Sequence, residues 1–236
     1  VKAKPTLPAC SVSNELVILK KNQIKGFIAH AKRQIDQINR RVIQGTKIPH
    51  EEKVFSLFEG HTQWISKGKA GVPVELGLRV CILEDQNGFI LNHRVMEKET
   101  DDKIAINMVV NAQKNFPDLK SCSFDKGFHS RTNQVDLKAH LELVMLPKKG
   151  PLNKEDKTRE YSDEFQAERR QHSAVESGIN ALEIHGLDKC PDHGIEGFKR
   201  YVALAVLARN IQKLGAELRK QEKNEEQYRQ RRKRAA

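Results

Sequence analysis

The stretch SCSFDKGFHS, Ser121 to Ser130, closes a short apolar run with an aspartate and follows it at once with Lys126-Gly127. Asp125 is then either a strand-to-turn residue or a carboxylate held out at a strand's end, since Gly127 lets the backbone turn away and leave the side chain at a crevice. Further along, His172, Glu176 and Asn180 fall four residues apart and share one helix face, with Glu176 among the small residues of SAVESGIN. Carboxylates converging from different rigid elements are what two-metal phosphoryl transfer requires, the ions activating the attacking oxygen and stabilising the leaving one at a separation of about 4 Å. Taken singly, Asp125 also suits a plain turn and Glu176 a solvated helix. His185, Cys190 and His193 put three potential zinc ligands within nine residues. No partner pair lies nearby, and a turn with incidental ligand-type residues is the simpler reading.

The charge balance names a partner class. Forty-two Lys and Arg against 31 Asp and Glu leave a formal net charge of +11, and clustered cations bind phosphates by releasing counterions. Nucleic acid is the first candidate. An acidic membrane surface fits less well, because no apolar run approaches the roughly 20 residues that span a bilayer, so a soluble, cytoplasmic protein is expected. The four cysteines, Cys10, Cys81, Cys122 and Cys190, form no CxxC pair and imply no disulfide framework. The chain opens on Val1 with the polar run VKAKPTLPACSVSNE and reads as the C-terminal part of something longer.

The elements that must position these residues follow from periodicity. From Asn14 to about Ile43 the pattern is helical, with Ile24, Ile28, Ala31, Ile35, Ile38 and Val42 alternately four and three residues apart, a seam for the core or for a partner helix. Three strands are expected next: Lys53 to Glu59, then VELGLRVCIL with its clean alternation, then a strand from Gly88, the last two joined by an Asn87-Gly88 hairpin. Ile104, Met108, Val109 and Ala112 predict a helix opened by Thr100 or Asp101 and closed near Pro117, with Asp102 as a cap. A short strand ending at Asp125, a helix over Thr132 to His140 and a strand LELVMLPKK follow. Two more helices and a charged tail beyond Gly215, frayed or disordered, complete the chain. The order predicts a mixed sheet with helices on its faces.

That order, with SLFEGHTQWISKGKAGVPVELGLRV, SFDKGFHS, VMLPKKG and RRQHSAVESGINALEIHGLDKC, resembles the catalytic domain of DDE transposases from bacterial insertion sequences over roughly Glu51 to Leu214. The resemblance implies an α/β, ribonuclease H-like fold: a mixed five-stranded sheet flanked by helices across residues 51–215, after an N-terminal helical segment (1–50) and before a charged tail (216–236). It implies Asp125 as the second acidic metal ligand and Glu176 as the third, with Mg2+ or Mn2+ as the ion. The first lies on the first strand in such folds, where the usual residue is aspartate and this chain offers Glu59. Asp85, beside the hairpin turn, is the alternative, and loss of the ligand is another.

The activity implied is cleavage at element ends by water, then strand transfer by the freed 3′-hydroxyl, with DNA ends and target as partners and a homo-oligomer assembled on them. Basic residues then line the DNA path: Lys67 and Lys69 after the first strand, His129 and Arg131 after Asp125, Lys148 and Lys149 after the fifth strand, Arg170 and His172 ahead of Glu176. Trp64 reads as a loop anchor buried against the sheet, or as a platform for an unpaired base. Two other readings stay open: a nuclease of the same fold that never joins ends, and a decayed fragment that only binds DNA.

Overall fold

In the computed structural model, which describes residues 14–66 and 73–235 and leaves out the side chains of residues 168, 171–176 and 233–235, the chain divides into two compact units, Val1–Gly77 and Leu78–Ala236. The first is built on α1, Asn14–Ile38, prolonged by one wider turn over Asn39–Ile43. The aliphatic seam does not pack into this unit, for Ile24, Ile28, Ile35, Ile38 and Val42 are all exposed. A neighbouring, polar face of α1 receives the chain that follows. Arg33 Nε donates to the Glu52 carbonyl at 2.8 Å and Arg40 pairs with the Glu52 carboxylate at 2.8 Å. Gln37 donates to the Val54 carbonyl at 3.0 Å while its amide oxygen accepts from the Val54 N–H.

Those contacts overturn the strand expected over Lys53 to Glu59. Gln37 supplies both hydrogen bonds that a neighbouring strand would have given Val54. Phe58 sets its ring edge-on to Phe27 at 5.9 Å, and Gly60 lies so close to His30 that a Cβ there would come within 2.7 Å of the imidazole. Pairing begins later, where β1, Gln63–Ser66, runs antiparallel to β2, Val74–Gly77. Trp64 therefore sits on a strand, 45 % exposed, against Phe55 at 5.8 Å with Lys53 Nζ 5.6 Å from its ring centre. It is not the buried loop anchor expected.

The second unit opens with the hairpin of β3, Arg79–Glu84, and β4, Ile90–Met96. The strand expected from Val74 is thus broken at Leu78. The hairpin turns at Asp85 to Gly88, where Gly88 takes φ +83° and donates its N–H to the Asp85 carbonyl at 3.0 Å. α2, Asp101–Gln113, then buries Ile104, Ala105, Met108, Val109 and Ala112 on one stripe. β5, Ser121–Ser123, is joined through α3, Arg131–Asp136, to β6, Leu143–Met145, and the two strands pair in parallel. The main core gathers Leu83, Met96, the α2 stripe, Phe124, Leu137, Leu141 and Leu146.

Two helices cover the rest: α5, Asp163–Leu182, preceded by short α4, Lys154–Glu160, and α6, Gly194–Ala235. A second, smaller core joins Ile90, Leu182 and Val206. There the Asn210 side chain accepts from the Ile90 N–H and donates to the Ile90 carbonyl, both at 2.9 Å, the arrangement Gln37 makes with Val54. The charged segment beyond Gly215 is a regular continuation of α6. The chain is a helix-rich mixed α/β protein in which the described strands form three two-stranded pairs, rather than the single five-stranded sheet expected. The expected first strand supplies no partner because its backbone bonds go to α1.

Candidate active site

Asp125 leaves the end of a parallel strand. The Phe124 N–H donates to the Met145 carbonyl at 2.8 Å, which carries the β5–β6 ladder one residue past Ser123 and ends it there. The carboxylate of Asp125 accepts the Lys126 N–H at 2.7 Å, capping a single 3-10 turn over Lys126–Phe128, and is otherwise exposed. A carboxylate keeps about four acceptor sites, so one local bond leaves most of its capacity facing outward. The strand expected to end at Asp125 ends its ladder one residue earlier, at Phe124.

Gly127 has a second reason to be glycine. The Asp101 carboxylate packs onto it, and a Cβ would lie 2.7 Å from Asp101 Oδ2. Asp101 opens α2 and is paired with Arg79, whose Nη1 lies 3.4 Å from Asp101 Oδ1 while its Nη2 donates to the Glu99 carbonyl at 2.6 Å. Asn133 ties the same corner together by donating to the carbonyls of Asp102 and Phe128 at 2.7 and 2.8 Å. The beginnings of β3 and α2 and the end of β5 therefore form one edge carrying Asp101, Asp125 and Arg79. Asp101 was legible only as a helix-opening residue; its approach to Gly127 depends on a contact between distant segments. His129 stands just beyond, with Nε2 buried and unpaired, and Arg131 is exposed at the first turn of α3.

Glu176 lies on α5, which packs on both β5 and β6. The side chains of Glu176 and His172 lie outside the described residues. Arg170, also on α5, is exposed and donates from Nε to the Gln166 carbonyl at 3.2 Å. Two residues past Glu176, Gly178 meets a carboxylate that sequence reasoning passed over, that of Glu84 at the end of β3. Glu84 Oε2 is buried without a hydrogen-bond partner. Burial pushes its pKa up, the nearby Arg209 and Lys213 pull it partly back, and Asp85 adds to the rise. The only signal for Glu84 in the sequence was its place beside Asp85 at the hairpin.

The other candidates are held elsewhere. Asp85 is occupied by its own turn, accepting the N–H groups of Asn87 and Phe89 at 2.8 Å each. Glu59 belongs to the first unit and lies in a turn, not on a strand; its N–H donates to Ser56 Oγ at 3.0 Å and its carboxylate is 3.6 Å from His61 Nδ1. Lys67 and Lys69 lie outside the described residues. Lys148 is engaged by Asp156, whose carboxyl it holds below the usual range together with the Asn153 backbone. Lys149, beside it, is exposed. His185 faces Gln212 at 3.4 Å and Cys190 Sγ lies 3.6 Å from the Asp192 carbonyl.

Among the described residues no three His, Cys, Asp or Glu side chains gather into a group that could hold a metal. Asp101 and Asp125 are two carboxylates on one edge, one of them already neutralised by Arg79. The described side chains do not by themselves fit a two-ion centre. No described helix is long and apolar enough to cross a membrane. Compared with family models, with curated proteins and with solved structures, the chain matches none.

Proposed function

We propose that this chain acts on DNA as a phosphoryl-transfer protein of the DDE transposase type, cleaving strands at element ends and joining the freed 3′-hydroxyl to target DNA. The observation that carries the reading is the exposed carboxylate of Asp125 at the carboxyl end of a parallel strand. Open α/β sheets bind their ligands outside that end of the strands. Hairpin, helix, strand, helix, parallel strand and helix follow one another in the second unit, an order that suits a ribonuclease H-like domain. The helix bearing Glu176 packs on the same two strands that present Asp125.

A divalent ion such as Mg2+ or Mn2+ would supply charge stabilisation in a reaction of this type, but the described side chains gather no group to hold one. The chain's own part is to bring the phosphate to the β5 edge. Exposed Arg131 and Lys149 hold the backbone on either side of it, and Arg79 keeps Asp101 from repelling the incoming polyanion. The net charge of +11 favours a salt-sensitive approach of DNA, each phosphate contact steepening the slope of log affinity against log salt by about 0.9.

The test uses the protein with a 3′-labelled duplex carrying the DNA that flanks its coding sequence, with Mg2+, Mn2+ or EDTA. Metal-dependent nicking followed by appearance of the label in a target plasmid is expected. Nicking without transfer points to the nuclease reading. Binding that is salt-sensitive but indifferent to metal, with no nicking, refutes phosphoryl transfer.

A further inference from the structure

α6 carries two apolar faces, and its own unit uses only one. Val202 and Val206 are buried and Asn210 is bound to Ile90. The other face presents Leu204, Leu207, Ile211, Leu214 and Leu218, each at least half exposed. Their spacing is three, four, three and four residues, the heptad repeat by which knobs on one helix fill holes on another. A helix lying on a sheet or a flat surface shows a broader stripe with a 3.6-residue period. This seam is narrow and keeps its 3.5-residue period over 15 residues, about 21 Å of helix at 1.5 Å per residue.

We infer that this seam is a coiled-coil contact with α6 of a second copy of the chain, and that the two helices run antiparallel. The charges decide the direction. A parallel pair in register sets every residue of the seam against itself, which places Glu225 on Glu225 and Arg232 on Arg232 where the repeat continues, with Glu217 flanking Glu222. Like charges facing each other destabilise the pair. The antiparallel pair that sets Ile211 opposite Leu214 of the second copy also sets Leu207 opposite Leu218. One turn outward Leu204 meets Gln221, and two turns outward Arg200 meets Glu225, a match of opposite charges at both ends of the seam. One flank at its middle is Ala208 with Gly215, small enough for the helix axes to approach closely on that side; the other is Asn210, whose amide is held by Ile90, with Glu217. Arg200 already pairs with Asp192 at 2.9 Å but is 65 % exposed, so its fork keeps donors for Glu225. The dimer stands independently of the phosphoryl-transfer reading, since no residue of the β5 edge takes part.

Sedimentation of the full chain without DNA is expected to show a concentration-dependent dimer. The double substitution Leu207→Lys and Leu214→Lys alters two exposed positions, so circular dichroism should be unchanged while the dimer weakens at least about a hundredfold. Direction is read by mixing chains carrying Leu207→Cys with chains carrying Leu218→Cys and mapping disulfide-linked peptides. Links between 207 and 218 support the antiparallel pair. Links between 207 and 207 overturn the direction. Links from either cysteine to peptides of α1, a monomer at every concentration, or a dimer that survives the double substitution each overturn the contact itself.

Discussion

Removing the Asn210 amide isolates one fastening of α6 on the hairpin. In Asn210→Ala two hydrogen bonds of 2.9 Å are lost, one from the Ile90 N–H and one to the Ile90 carbonyl. Ile90 is only 5 % exposed, so water does not readily replace the amide. At about 0.5–1.5 kcal/mol for each bond, the loss is about 1–3 kcal/mol. Alanine's better helix propensity returns about 0.7 kcal/mol, leaving about 0.3–2.3 kcal/mol with a midpoint of about 1.3 kcal/mol. For a unit of this size that midpoint lowers Tm by roughly 3–5 °C. The decisive assay is amide hydrogen exchange at Ile90 in the native protein, because it reads the bond itself and not the unfolding of either unit as a whole. Ile90 should lose about tenfold or more of its protection, a factor of ten corresponding to about 1.4 kcal/mol, while the amides of the α2 stripe keep theirs. Unchanged exchange at Ile90, with a Tm within about 1 °C of the parent, would refute the reasoning.

Gln37→Ala applies the same logic in the first unit: residues 53–59 should come off α1 and become the earliest site of limited proteolysis, with α1 still helical by exchange. Glu84 gives a pH signature. Its carboxyl titrates above the ordinary glutamate value near 4.5 when folded, so the folded unit binds the extra proton and stability falls as pH rises from that value through the raised one. Glu84→Gln should flatten that slope and be more stable than the parent at neutral pH, as read from urea midpoints at several pH values; an unchanged slope would remove Glu84 as its source. Lys148→Met should raise the Asp156 pKa toward its usual range and lower Tm, because Lys148 is the main cause of its depression; carboxyl NMR titration checks the first and a thermal scan the second.

The parts of the fold that are legible in the sequence are those fixed by local period. The α2 stripe, the Asn87-Gly88 hairpin and the strand that delivers Asp125 were each readable because their side chains alternate or recur within a few residues. The segment from Lys53 to Glu59 is also rich in apolar residues, yet its hydrogen-bond partner is the amide of Gln37 on a helix, and no local pattern announces a side chain standing in for a strand. The charge of the tail suggests a frayed helix or disorder, while the heptad seam ahead of it and the i,i+4 pair of Glu225 with Arg229 favour a continuous helix. At the candidate site, Asp125 was found where a strand ends. Asp101 and Glu84 were not, since both matter through glycines that come near them only in the folded chain.

Asp125→Asn removes one charge from an exposed side chain and leaves a group that can still cap its own turn, so folding and salt-sensitive DNA binding should be retained. Strand cleavage and transfer with the flanking DNA, measured for this variant and the parent at equal occupancy in Mg2+, is the measurement that bears most directly on the function proposed. A loss of at least about a hundredfold in cleavage with unchanged binding is predicted. Cleavage at the parent's rate would contradict it.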